Sequence, residues 1–238
     1  MNPTFLLGGE LEVRRLGFGA MRIVDDREEG VRVVRRAVEL GVTLIDTADI
    51  YGAGASEEVI AEALHPYPEG VAIATKGGLG WGLQGQIRDG RPEYLRQACD
   101  ASLRRLKLER IDLYQLHRHD PEVPIEESVG ALEDLRREGK VRLLGLSNVS
   151  VEQLRAAQTV ARIVSVQNEY NRGLLTSEPV LEACAADGIA FFPWRPLGEA
   201  LRDSVYELRW LLERSPVMLP TPGTSSVEHL EENMRAVA

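Results

Sequence analysis

Short apolar runs alternate along the chain with longer amphipathic stretches. Runs such as VTLID and IDLYQLH have the composition of buried strands, and stretches such as EEGVRVVRRAVELG and IEESVGALEDLRREG have apolar residues at helical spacing. The apolar runs end near eight positions, which are Gly19, Asp46, Lys76, His117, Ser147, Asn168, Trp194 and Pro220. A strand followed by a helix, repeated eight times, predicts an α/β fold of the (β/α)8 TIM-barrel type.

The start of the chain predicts an addition to this barrel. The stretch TFLLGGELEVRRL contains two short runs around Gly8 and Gly9, which is typical of a β-hairpin ahead of the first barrel strand, where it can cap the barrel floor. An open doubly wound sheet is the alternative fold, but it needs fewer strands and usually a glycine-rich phosphate loop. None of the glycine-rich stretches gives the full GxGxxG pattern. We expect a single barrel domain over residues 1–238.

Composition and charge restrict the partners of this protein. The formal net charge of −9 is spread along the chain without a basic block, so we expect no nucleic acid partner. The absence of a long apolar run or leader predicts a cytoplasmic protein with no membrane partner. Cys99 and Cys184 lie outside any CxxC pattern, which predicts reduced, structural thiols. The stretch HRHD fits no common zinc pattern, so no metal site is predicted.

Lys76 is unusual in this arginine-rich chain. Only three of the 28 basic residues are lysines, and Lys76 directly follows the apolar run VAIAT. An unpaired ammonium in such a setting would be costly, so Lys76 needs an acidic partner. Asp46, at the end of the preceding predicted strand, is the obvious one.

Four chemically related side chains are expected at one end of the barrel. Asp46, Lys76 and His117 end the second, third and fourth predicted strands, and Tyr51 follows Asp46 by a few residues. Taken singly, Asp46 can be a turn residue, Tyr51 a core or interface aromatic, and His117 a structural histidine. Together they make a coherent set, because an ammonium lowers the pKa of a nearby phenol and a neutral imidazole can hydrogen-bond to a carbonyl oxygen. The set predicts an active site.

At this point the sequence resembles the aldo-keto reductases, NADPH-dependent barrel enzymes that reduce aldehydes and ketones. The matching motifs are IDTADIYG, IATKGG, IDLYQLH, GLSNVS, VSVQNEYN and PGTSSVEHLEEN, in family order from about Leu16 to Asn233. The stretches GFGAMRI, EALHPYP, SLRRL and PWRPLG look most like the branch that includes pyridoxal reductase. The resemblance implies a catalytic tetrad in which Tyr51 delivers the proton, Lys76 and Asp46 tune it, and His117 orients a small-molecule carbonyl substrate.

The same resemblance implies which residues hold NADPH. Ser147, Asn148 and Gln167 match hydrogen-bonding partners of the nicotinamide carboxamide. Trp194 stands where the family commonly has a stacking tyrosine, with rim packing as the alternative role, and Leu197 follows in the same loop. The adenosine end and its 2′-phosphate are assigned to Thr224, Ser225, His229, Glu232 and Asn233. His229 replaces an arginine of many members, and a solvent-facing helix histidine is the alternative.

Some stretches are shorter than in the family pattern. These are the segments after the first and seventh strands and the end of the chain at Ala238. Either the pocket is open and broad in substrate, or the sequence omits segments that the natural protein has. The leading hypothesis is an NADPH-dependent carbonyl reductase. One alternative is a cofactor-binding regulatory protein with little turnover, like the potassium-channel β subunits of the resembled family. The other is an isomerase or aldolase that uses Lys76 as a Schiff-base nucleophile.

Overall fold

A computed structural model describes residues 3–82, 85–198 and 203–237. The predicted N-terminal hairpin is present, with β1 (Thr4–Leu7) paired antiparallel to β2 (Leu11–Arg14). Leu7 and Val13 point inward and pack with interior residues of the central sheet, among them Leu44 and Leu143. Burial of these alternating apolar residues holds the hairpin against one end of the sheet.

A parallel sheet forms the centre of the described part of the molecule. In chain order the remaining strands are β3 (Phe18–Gly19), β4 (Leu44–Asp46), β5 (Ala72–Gly77), β6 (Leu79–Gly82), β7 (Gly85–Arg88), β8 (Ile111–Leu116), β9 (Val141–Ser147), β10 (Ile163–Glu169) and β11 (Ala190–Trp194). Seven of them form the sheet in the order β11-β10-β9-β8-β5-β4-β3. All neighbouring pairs in this sheet are parallel, so the carboxyl ends of the strands lie along one edge.

Residues 217–223 bond to both outer strands of this sheet. The Phe191 amide donates to the Val217 carbonyl at 2.8 Å, and the Gly17 amide donates to the Pro220 carbonyl at 3.0 Å. Gly19 forms a parallel bridge with Gly223, and a Cβ atom at Gly19 would lie only 2.6 Å from the Thr221 carbonyl oxygen. The close backbone approach at this point therefore requires glycine.

Helices cover the outer face of the sheet. They are α1 (Arg27–Glu39), a 3₁₀ helix (Tyr51–Gly54), α2 (Ala55–Leu64), α3 (Pro92–Leu106), α4 (Ile125–Arg137), α5 (Val151–Gln158), α6 (Glu178–Asp187), α7 (Ser204–Arg214) and α8 (Val227–Met234). Side chains cap some of their N-termini: Asp26 accepts a bond from the Glu29 amide, and Ser150 forms a capping box with Gln153. The large core lies between these helices and the sheet. No helix in the described ranges is long and apolar enough to span a membrane.

The β6–β7 hairpin is the main element that the sequence pattern did not predict. It is a separate two-stranded antiparallel sheet that follows β5 directly, and it begins just after Gly78, which has a φ of +105°. A positive φ of this kind is accessible to glycine, so the chain can leave β5 and turn at once. The hairpin therefore stands at the carboxyl edge of the central sheet.

Candidate active site

A cavity of about 700 Å³ opens at the carboxyl ends of the sheet strands. This volume lies within the ordinary range for small-molecule sites. Eight of the residues named from the sequence line it: Asp46, Tyr51, His117, Ser147, Asn148, Gln167, Trp194 and Leu197. They come from β4, β9, β10, β11 and the segments after β4, β8, β9 and β11. The site is thus assembled from distant parts of the chain because all these strands end on one edge.

Lys76 and Asp46 form a buried ion pair beneath the cavity. Lys76 is 0% exposed, and its Nζ donates to Asp46 Oδ2 at 2.9 Å and to the Thr47 carbonyl at 2.7 Å. Gln167 Nε2 donates to the same Asp46 oxygen at 3.0 Å. Burial lowers the pKa of Lys76, but Asp46 and Tyr51 more than offset it, and the net pKa lies above the ordinary value. Lys76 therefore stays charged, which disfavours a role as a Schiff-base nucleophile.

Tyr51 and His117 lie directly above this ion pair. Lys76 Nζ is 5.2 Å from the centre of the Tyr51 ring, and the Tyr51 and His117 rings meet edge to face with their centres 5.9 Å apart. The turn that follows Tyr51 contains Gly52, Ala53 and Gly54, all with positive φ. This tight turn begins α2 and orients Tyr51 toward the cavity. The structure thus brings together all four residues of the proposed tetrad.

The ionisation of Tyr51 differs from the sequence expectation. Burial raises the pKa of the Tyr51 phenol above its ordinary value, and the Lys76 charge opposes this rise without reversing it. The expected direction of the Lys76 effect is confirmed, but the net pKa lies above the ordinary value because loss of hydration outweighs the ammonium. Tyr51 therefore carries its proton at neutral pH, and it can act as a proton donor.

His117 is neutral at the same pH. Burial, with the charges of Lys76 and Arg118, holds the pKa of His117 well below its usual range. Its Nδ1 atom is buried and has no hydrogen-bond partner within the described chain. A neutral imidazole at the cavity wall carries one ring N–H, which matches the expectation of a group that donates a hydrogen bond to a substrate oxygen.

The residues expected to hold the nicotinamide form one hydrogen-bonded network. Ser147 Oγ donates to the Gln167 carbonyl at 2.9 Å, and Asn148 Nδ2 donates to Ser147 Oγ at 2.9 Å and to the His117 carbonyl at 3.1 Å. Trp194 Nε1 donates to Asn148 Oδ1 at 3.0 Å. The network fixes the half-buried Trp194 ring at the cavity wall and ties it to the loop that carries His117. The sequence alone did not indicate these bonds.

The residues expected at the adenosine end lie just before α8 and along it, outside the cavity lining. Thr224 is buried and its Oγ1 accepts a bond from the Ser226 amide at 3.0 Å, while Ser226 caps the helix. Ser225 and His229 are exposed, Glu232 is half-buried and Asn233 is buried. The preceding residues 221–223 do line the cavity, so the helix start continues one of its walls.

The residues present fit a dinucleotide. The cavity offers a flat indole at Trp194 and a buried, unpartnered carboxylate oxygen at Asp46 Oδ1, both near Tyr51. From there its wall leads to the N-terminus of α8, where the helix dipole favours a phosphate. An aromatic surface, polar groups and an anion-favouring helix end therefore follow one another along the wall.

Sequence reasoning missed several cavity residues. Leu79 and Gln86 of the β6–β7 hairpin line the cavity, as do Arg22 and Arg118. Alternation in the stretch LGWGLQGQIR is the signal that could have predicted the hairpin. Nothing in the local sequence marks Arg118 as a cavity residue, because its position depends on how the loop after β8 folds.

Known proteins share this architecture and these motifs. Residues 15–207 match the model of the Aldo/keto reductase family. The chain belongs to this family. An uncharacterised oxidoreductase of Schizosaccharomyces pombe is 42% identical, with the alignment covering 96% of this chain and 83% of the relative. Pyridoxine 4-dehydrogenase of Escherichia coli is 39% identical, covering 98% of this chain and 92% of the relative.

Solved structures agree with this assignment. A glycerol dehydrogenase from Gluconobacter oxydans matches with a TM-score of 0.91 at 26% identity, covering 100% of this reductase chain and 91% of that structure. An aldo/keto reductase from Klebsiella pneumoniae, crystallised with NADP and acetate, matches with a TM-score of 0.85 at 27% identity, covering 100% and 90%. The resemblance stated from the motifs, including the branch with a pyridoxine dehydrogenase, is confirmed.

Proposed function

We propose that this aldo/keto reductase reduces an aldehyde or ketone to an alcohol with NADPH, and that Tyr51 is the proton donor. The observation that carries the proposal is the buried Lys76–Asp46 ion pair beneath Tyr51 and His117. A buried charge pair is expensive to desolvate, and it leaves an ammonium against the face of one phenol. Such an arrangement serves to tune that phenol.

Each residue of the tetrad would have its own role in the reduction. The substrate carbonyl oxygen would accept hydrogen bonds from Tyr51 and from neutral His117, which orients it. Tyr51 would give its proton to that oxygen, and Lys76 would stabilise the phenolate left behind. Asp46 would hold Lys76 in position. When bound, NADPH would supply the hydride that reduces the carbonyl carbon, so that the products are an alcohol and NADP⁺.

The proposal assigns cofactor binding to two groups of residues. Near the tetrad, the nicotinamide end would contact Ser147, Asn148, Gln167, Trp194 and Leu197. The adenosine end and 2′-phosphate would contact Thr224, Ser225, His229, Glu232 and Asn233. The fixed Trp194 ring supports the first assignment, because a rigid aromatic face needs no ordering when a flat ring stacks on it. The N-terminus of α8 supports the second.

We further propose that the fold is a closed eight-stranded barrel forming a single domain over residues 1–238. The bonds from residues 217–223 to both outer strands of the sheet support this. The proposed ligands are small molecules, without nucleic acid or a membrane. We propose a cytoplasmic location, supported by the two buried, unpaired thiols of Cys99 and Cys184.

The test follows NADPH absorbance with 4-nitrobenzaldehyde and with pyridoxal, comparing wild type with Tyr51→Phe. We expect turnover in wild type and a loss of about 10²-fold or more in the variant, the usual scale for a positioned general acid. NADPH binding, measured by fluorescence titration, should stay nearly unchanged. Turnover that survives in Tyr51→Phe would remove Tyr51 from the mechanism. Wild-type binding of NADPH without turnover would favour the regulatory alternative, and borohydride trapping of substrate on Lys76 would favour the aldolase.

A further inference from the structure

Arg118 is a cavity residue with no assigned partner. It lies two residues after β8, next to His117, and it is half-buried in the cavity wall. Within residues 3–82, 85–198 and 203–237 it makes no ion pair or hydrogen bond. Asp120, the nearest acid along the chain, directs its two oxygens to the amides of Gly90 and Glu122 instead. The guanidinium of Arg118 is thus free to meet a ligand.

The cavity carries positive charge although the chain as a whole is acidic. Among the described residues, the charged side chains that line it are Arg22, Asp46, Arg118 and Arg195, whereas the chain has a net charge of −9. Asp46 is already neutralised by Lys76, and Arg195 is paired with Glu169 at 3.2 Å. A free arginine at the cavity wall therefore attracts an anion.

The place of β8 in the sheet separates Arg118 from the adenosine end of the cofactor site. β8 is the middle strand of the seven, while the segment that leads into α8 bonds to the two outer strands. Arg22 follows β3, one of those outer strands, and is therefore close in topology to the cofactor phosphates. Arg118 is as far from them as the sheet order allows. Its charge is available to the substrate.

The cavity that Arg118 lines suits the body of a small organic substrate. Ile50 and Leu79 supply apolar surface to the same cavity, Gln86 supplies an amide, and Tyr51 and His117 can hydrogen-bond to the carbonyl oxygen. We propose that Arg118 binds an anionic group of the substrate, so that this enzyme prefers aldehydes or ketones that carry a carboxylate or a phosphate at a distance from the carbonyl. The inference rests on the proposed carbonyl reduction and adds the substrate class.

The guanidinium geometry explains why arginine suits this position. Its planar fork donates two parallel hydrogen bonds to a carboxylate or phosphate, which a lysine ammonium cannot reproduce. With the anion held by Arg118 and the carbonyl oxygen held by Tyr51 and His117, the substrate has two fixed points. Because both ends of the substrate are held, the orientation of its carbonyl group within the cavity is defined.

The experiment compares matched pairs of charged and neutral aldehydes. The carboxylate pair is 4-carboxybenzaldehyde and methyl 4-formylbenzoate, and the phosphate pair is 4-formylphenyl phosphate and 4-methoxybenzaldehyde. Each is assayed with NADPH in wild type, Arg118→Gln and Arg118→Lys. The control is Arg110→Gln, which removes the same charge from an exposed residue just before β8, at the opposite end of the same strand. A second readout is calorimetric binding of 4-(hydroxymethyl)benzoate and of benzyl alcohol.

We expect wild type and Arg110→Gln to favour at least one charged aldehyde over its neutral partner by about 10- to 100-fold in kcat/KM, the range for a hydrogen bond to a charged group. Arg118→Gln should lose that preference while its activity on neutral aldehydes changes little, and Arg118→Lys should retain part of it. Binding of 4-(hydroxymethyl)benzoate should weaken in Arg118→Gln, less so in Arg118→Lys and not in Arg110→Gln, and binding of benzyl alcohol should change in none of them. Whichever pair shows the preference identifies carboxylate or phosphate as the group.

Three results would overturn the proposal. The first is equal kcat/KM for charged and neutral partners in wild type, and the second is a preference that Arg118→Gln retains. The third is the same loss of preference in Arg110→Gln, which would reflect overall charge. Turnover of the neutral aldehydes shows whether the proposed carbonyl reduction fails or only the proposed anionic substrate class. If the neutral aldehydes are reduced but Arg118→Gln leaves the ratio of charged to neutral kcat/KM unchanged, only the substrate class is wrong. No turnover of any aldehyde means that the proposed function itself fails.

Discussion

Asp49 is a carboxyl group that the fold holds in an unfavourable place. It lies between Asp46 and Tyr51, and its Oδ1 is buried without a hydrogen-bond partner in the described structure. Glu57, fully buried at the start of α2, adds a second negative charge nearby. Burial first and Glu57 second raise the pKa of Asp49 from 3.8 to about 7, and Arg105 and Lys76 only partly oppose them.

This shift makes the stability of the protein depend on pH with a definite sign. In the unfolded chain Asp49 ionises near 3.8, whereas in the folded protein it keeps its proton until about pH 7. Over that interval the unfolded state binds fewer protons, so the free energy of unfolding falls as pH rises. About 3 pH units at ~1.36 kcal/mol each give a loss of up to ~4 kcal/mol, complete above pH ~7. This is a large part of the ~5–15 kcal/mol typical of a folded domain.

Asp49→Asn is the perturbation that tests this reasoning. Asparagine resembles the protonated carboxyl in shape and cannot ionise, so the variant should match wild type near pH 4 and exceed its free energy of unfolding by up to ~4 kcal/mol at pH 8. Urea unfolding followed by circular dichroism at a series of pH values measures the difference. The exposed Asp25→Asn is the control, and it should follow wild type at every pH. A difference between Asp49→Asn and wild type that stays constant from pH 4 to 8 would refute the argument.

Two further predictions concern Lys76 and His229. Lys76→Met should cost about 3–5 kcal/mol of stability, because Asp46 is left buried without its cation. It should also move the alkaline limit of reduction to higher pH, because the Lys76 charge lowers the pKa of Tyr51, and a limit at the wild-type pH would contradict this coupling. For the exposed His229, His229→Arg should raise the ratio of NADH to NADPH dissociation constants, because an arginine donates charge-assisted hydrogen bonds to a phosphate, and His229→Ala should lower it. An unchanged ratio in His229→Ala would show that His229 does not contact the phosphate.

Much of the candidate site followed from the linear sequence. The ends of the apolar runs near Asp46, Lys76 and His117 agree with the ends of β4, β5 and β8 to within a residue. Parallel strands bring their carboxyl ends to one edge, so naming the strand ends was enough to place these groups together. The need of a buried ammonium for an acid was also enough to pair Lys76 with Asp46. The first argument uses a rule of the whole fold, that parallel strands end on one edge. The second uses a rule of local chemistry, that a buried ammonium needs an acidic partner.

Only the tertiary structure decided how burial and neighbouring charges combine to set the pKa of each ionisable side chain, and which charged side chains are paired. The sequence indicated that Lys76 lowers the pKa of Tyr51, but how far burial exceeds that effect depends on what surrounds the phenol. The raised pKa of Asp49 likewise depends on Glu57, which reaches it only when α2 packs against the sheet. The freedom of Arg118 could not be predicted either, because pairing depends on which carboxylates the folded loops bring within reach. Local pattern and strand order determine which residues meet, whereas hydration and charge at each atom depend on the whole three-dimensional packing.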